Sequence, residues 1–79
     1  MPSPRTDLPA LGARLRAARL NAGMSQDALA QKMGVRQNAV SRWETGVDLD
    51  ASSLRRLLEA IGLPRSEWGD VLALAGVDP

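Results

Sequence analysis

The sequence has no cysteine, histidine, tyrosine or phenylalanine, and its only aromatic side chains are two tryptophans. Without Cys or His there are no disulfides, no Cys/His zinc sites, no thiolate nucleophiles and no imidazole bases. Catalysis would fall to carboxylates or Lys. The closest acidic pairs, Asp48/Asp50 and Glu67/Asp70, fall in a loop and on a helix surface, where a helix cap and a solvated face account for them. No glycine-rich loop is built to cradle a phosphate. The expectation is a non-enzymatic protein without metal, cofactor or small-molecule ligand. No apolar run approaches the roughly 18 residues that span a membrane, and Met1-Pro2-Ser3-Pro4 lacks a signal-peptide core. The chain is therefore expected to be neither secreted nor membrane-spanning, and cytoplasmic.

What is present fits one small soluble domain. Its 79 residues are 44% hydrophobic and 24% charged, too apolar for a disordered chain. The net charge of +1 says nothing about partners, but its distribution does. Residues 1–46 hold seven Arg/Lys against three Asp/Glu, a balance of +4. Residues 47–79 hold three against six, a balance of −3. A basic half joined to an acidic half suits one face for a polyanion and another for something else, unless it is the accident of a short chain.

Strand alternation is nearly absent, and helix punctuation recurs, with Gly at 23, 34, 46, 62 and 76 after segments of helical period. The expected order is a loose tail over 1–7 and helices at about 8–22, 25–33, 36–45, 51–61 and 65–75. Asp7 and Ser25 are candidate caps, and Leu8, Leu11, Leu15, Ala18 and Ala22 form the first helix's core stripe. Leu29, Ala30 and Met33 serve the second helix, Val40 and Trp43 the third, and Leu54, Leu57, Leu58 and Ile61 the fourth. The fold class is all-α.

The informative stretch runs from Ser25 to Gly46, SQDALAQKMGVRQNAVSRWETG. Two short helices flank a turn at Gly34, where positive φ suits glycine. Ala30 is small where the helices approach, and Val35, Val40 and Trp43 pin the second onto the first. That is the specification of a helix-turn-helix. Gln37, Asn38, Ser41, Arg42 and Thr45 are left on the outer face of the third helix, with one charge among them. A merely solvated face more often carries Glu/Lys pairs, whereas Gln, Asn, Ser and Arg match the donors and acceptors of base edges.

Through Ser25-Gln26, Leu29-Ala30, Gly34-Val35 and Val40-Ser41-Arg42-Trp43-Glu44-Thr45-Gly46, the chain resembles the lambda-repressor-like (Cro-type, XRE family) helix-turn-helix regulators over about 11–63. The resemblance implies a compact five-helix domain that binds double-stranded DNA, with the third helix in the major groove. It places Gln37, Asn38, Ser41 and Arg42 at base-reading positions, which of Gln37 and Asn38 reads a base depending on docking angle. Ser25, Gln26 and Thr45 fall at phosphate positions, and Arg36 at the start of the third helix reaches a phosphate or a base. Arg19 and Glu44 match a partly buried ion pair between the first and third helices, a structural role. The plain alternatives are that Gln26 is a helix former and Arg42 a solvated cation. The chain departs from the family at Asp48 and Asp50: many members carry a basic or polar loop there. Asp50 is a candidate cap, while Asp48 has no evident structural role, and an acidic loop lowers expected DNA affinity.

The expected function is a sequence-specific transcriptional regulator, a repressor of bacterial, phage or plasmid context, acting as a homodimer on a near-palindromic site. The alternatives are an antitoxin-type or restriction-control autoregulator, and a helix-turn-helix used as a protein-interaction module. Dimerisation is expected from the fifth helix, where Trp68, Leu72 and Ala75 face the core and Val71, Leu74 and Val77 form a second apolar strip.

Overall fold

The computed structural model describes residues 8–77, and among these the chain forms five α-helices and no strand. They are α1 (Leu8–Asn21), α2 (Gln26–Met33), α3 (Gln37–Glu44), α4 (Ala51–Ile61) and α5 (Arg65–Leu74). The expected tail over 1–7, with Asp7 as a cap, lies outside the described residues.

Local chemistry sets the helix ends. Ser25 precedes α2 in extended conformation, and its Oγ accepts the Ala28 N–H at 3.0 Å. Gly34 closes α2 at φ 72°, and the Val35 N–H reaches back to the Ala30 carbonyl at 2.9 Å. Asp50 caps α4 by accepting the Ser53 N–H at 2.7 Å. That backbone hydrogen bond, with one from the Ser53 hydroxyl, holds the Asp50 carboxyl below its ordinary range. Arg36 and Thr45, expected inside the third helix, flank it as its two caps.

One core serves all five helices. Leu11, Leu15, Leu29, Val40, Leu54, Leu57, Leu58 and Val71 are fully buried, each contributing about 1.5–3 kcal/mol of apolar transfer. Two members of the expected first stripe fall outside this core. Leu8 is 37% exposed and Ala22 is exposed, because α1 ends at Asn21 and Ala22 lies in the turn. α3 packs on both α1 and α2, α2 on α4, and α1 on α5.

The α1–α3 crossing depends on two glycines. A Cβ at Gly12 would run into the Glu44 backbone carbonyl, and one at Gly46 would sit 2.8 Å from the Leu8 Cβ. Gly46 also adopts φ 84°. No side chain fits between these backbones, so the end of α3 lies directly against α1.

The fifth helix corrects one expectation. Val71 is 1% exposed and packs into its own core with Trp68 and Leu72. The reason is spacing: Val71 is three residues after Trp68, so the inward stripe carries 68, 71 and 72 together. Leu74 and Val77 are half-buried against the same core. The Val77 N–H donates to the Leu72 carbonyl at 2.9 Å, folding the residue beyond the helix end back onto the domain. The expected apolar strip therefore narrows to Leu74 and Val77.

Candidate nucleic-acid interface

Burying Val40 and Trp43 fixes the roll of α3, with Val40 fully buried and Trp43 7% exposed. Gln37, Asn38, Ser41, Arg42 and Thr45 are then all exposed. Four of these are uncharged donors and acceptors and one is a guanidinium, a face that can hydrogen-bond to base edges without a large desolvation cost. The turn from Gly34 to Arg36 that leads into this face is short, and Arg36, exposed and extended at φ −83°, stands at its start.

Behind the face runs a chain of polar contacts. Arg19, 5% exposed, donates from Nε to Glu44 Oε2 at 2.6 Å and from Nη2 to Glu44 Oε1 at 3.2 Å. Its Nη1 donates to the Met24 carbonyl at 2.7 Å, which ties the α1–α2 turn to the same group. Glu44 Oε1 also accepts from Gln26 Nε2 at 3.0 Å. Gln26 Oε1 in turn accepts from Gln37 Nε2 at 3.4 Å. A buried ion pair with its lone pairs satisfied thus holds α1, α2 and α3 in register, and its polar end emerges at the first turn of α3. Gln26 is more than a helix former here: it spans the interior pair and the outer face.

The remaining expected positions gather beside it. Ser25 is exposed and spends its hydroxyl oxygen as the α2 cap. Thr45 Oγ1 donates to the Arg42 carbonyl at 2.8 Å, leaving its oxygen able to accept. A cleft of about 390 Å³ is lined by Arg16, Arg19, Gln26, Ser41, Glu44 and Thr45. Arg16, exposed on α1, brings positive charge to this cleft. It is not among the DNA-contact positions expected from the sequence. Its signal was available: Arg16 lies one turn before Arg19, on the helix side that meets α3.

Asp48, left without a structural role by the sequence, has one. Its Oδ2 accepts from Arg42 Nε at 3.0 Å and from Arg42 Nη2 at 2.5 Å. Asp48 is the one non-glycine described residue with positive φ, 59°, a region that Asp and Asn tolerate better than most side chains. The Val47 N–H also donates to the Arg42 carbonyl at 2.8 Å, so the loop is fastened to Arg42 by backbone and side chain alike. The acidic loop is in this way partly neutralised by the cation of the outer face.

A model of a helix-turn-helix family matches residues 15–68, a span that contains α2, the turn, α3 and α4. No curated protein matches the chain.

Proposed function

As the chain belongs to the lambda-repressor-like helix-turn-helix family of DNA-binding regulators, we propose that it is a sequence-specific transcriptional repressor that reads double-stranded DNA with the outer face of α3. The observation carrying this reading is the exposed, nearly uncharged row of Gln37, Asn38, Ser41 and Arg42 opposite buried Val40 and Trp43. In the major groove Gln37 or Asn38 pairs with adenine, Arg42 with guanine, and Ser41 with either edge.

Phosphates are held at the start of α2. Its first N–H groups have no intrahelical acceptor, and the helix dipole favours an anion there. Gln26 offers its second amide hydrogen, Ser25 its hydroxyl hydrogen, Thr45 its hydroxyl once it turns from the Arg42 carbonyl, and Arg36 and Arg16 their charge. Arg19 and Glu44 do not touch DNA; they set the angle between α1 and α3. The role is non-enzymatic and cytoplasmic, and no described helix is long and apolar enough to cross a membrane. The pairing of Asp48 with Arg42 gives one carboxylate of the acidic loop a place within the DNA-reading face.

The repressor acts as a homodimer through the end of α5, where Leu74 and Val77 stay half-exposed beside exposed Ala73. Two recognition helices then meet successive major grooves about 34 Å apart on a near-palindromic site. Selection of bound duplexes from a random pool tests the reading. Enrichment of one inverted-repeat sequence is the expected result. No retardation of any duplex at low salt would reject DNA binding, and a sequence-bearing complex with one chain per site would reject the dimer.

A further inference from the structure

The contact between Arg42 and Asp48 uses one particular edge of the guanidinium. Nε and Nη2 both donate to the same carboxylate oxygen, at 3.0 and 2.5 Å. Of the five N–H bonds of an arginine, that occupies two. The other end of the plane, where one Nη1 hydrogen and the second Nη2 hydrogen point in parallel, is left for another acceptor. This end-on fork is the geometry that pairs with O6 and N7 of guanine. We propose that Asp48 is a positioning residue for base reading: it grips Arg42 from the side so that the guanidinium presents its end-on fork to a guanine. The inference rests on the DNA-reading role of α3 proposed above.

Three features support this role. Arg42 and Asp48 are 54% and 66% exposed at their side chains, so the pair lies at the surface where DNA docks and is no remnant of core packing. A free arginine at that exposure samples many rotamers and loses that freedom on binding; a side-on carboxylate removes part of the loss beforehand. The loop is also built to hold the carboxylate still. The Arg42 carbonyl accepts from the Val47 and Thr45 N–H groups and from Thr45 Oγ1, and Asp48 takes a positive φ that few residues adopt. The Val47 bond is the ordinary close of a helix, as Val35 to Ala30 closes α2; the positive φ at Asp48 is the feature that a plain connection from α3 to α4 does not need. The negative charge has a second effect: it opposes the DNA backbone, so an Arg42 docked on a wrong base or on a phosphate leaves Asp48 near DNA without its partner. Base preference is bought with some general affinity.

The test measures base preference, which a merely structural role does not move. Duplex pools are selected with the unmodified protein and with R42A, D48G and D48N. R42A identifies the base pair that Arg42 reads. Glycine accepts the positive φ at position 48 more readily than aspartate, so D48G is expected to unfold no earlier than the unmodified protein. At the Arg42-dependent pair, D48G is expected to lose guanine preference by about fivefold or more while other positions keep theirs. D48N retains an acceptor and is expected to keep part of the preference. A D48G protein that binds every duplex more tightly with its guanine preference intact would overturn the positioning role and leave Asp48 a charge brake. If R42A alters no base position, Arg42 reads no base and the role of Asp48 is overturned, whereas failure of the unmodified protein to select any sequence would overturn the reading of α3 itself.

Discussion

Glu44 accepts two hydrogen bonds from Arg19 and a third from Gln26, so one carboxylate near the end of α3 binds α1 and the start of α2 together. The side chains of Arg19 and Glu44 are 6% and 5% exposed. Removing one partner of such a pair leaves a buried charge uncompensated, at a typical cost of about 3–5 kcal/mol. In a domain of this size that approaches the whole stability margin, on the order of 5 kcal/mol. Glu44→Ala is expected to lower the urea midpoint steeply, and Glu59→Ala, at an exposed site, to shift stability by less than about 0.5 kcal/mol. Equal midpoints for the two variants would remove the structural role of the pair.

Gly12 and Gly69 both lie inside helices but should respond oppositely to alanine. At Gly69 an added Cβ meets nothing within 4 Å, so Gly69→Ala is expected to gain about 0.5–1 kcal/mol from helix propensity. At Gly12 it meets the Glu44 backbone, and Gly12→Ala must push α1 from α3, at a cost of about 1–3 kcal/mol or more. Thermal melts of the two variants check the difference in sign.

Asp50 gives acid sensitivity at the α4 cap. Its carboxyl is depressed in the folded chain, chiefly by the Ser53 N–H. A depressed folded value means that the stabilisation is present above the unfolded value and is lost as pH falls through the folded one. Asp50→Asn keeps a cap acceptor without the titration. The difference in urea midpoint between the two proteins should stay constant from pH 7 to 5 and then move in favour of the Asn variant below about pH 4. A constant difference down to pH 2 would show that the carboxylate charge adds nothing to the cap.

Much of the fold is legible in the sequence because its signals are local. Ser25, Gly34, Asp50 and Gly62 mark helix ends by their own side chains or lack of one, and the spacing of Val40 and Trp43 sets the roll of α3. The outer-face residues follow from that roll. What the sequence hides depends on partners distant in the chain. Gly12 looks like a poor helix residue until the Glu44 carbonyl lies against it. Asp48 looks like a misplaced charge until the positive φ of its loop turns it onto Arg42. Val71 and Leu74 read alike as a strip, although the three-residue step from Trp68 already turns Val71 inward; how far Leu74 stays open depends on the docking of α5 on α1.

The most direct separation of base reading by α3 from phosphate holding by α2 is the binding of R42A and Q26A across a library of duplexes, at a temperature where both are folded. Arg42→Ala is expected to cost about 1–3 kcal/mol on the preferred site and to relax one base position. Gln26→Ala is expected to weaken all sequences alike, since phosphates carry no base identity. Uniform loss over the whole library in both variants would contradict the division of labour between the two helices.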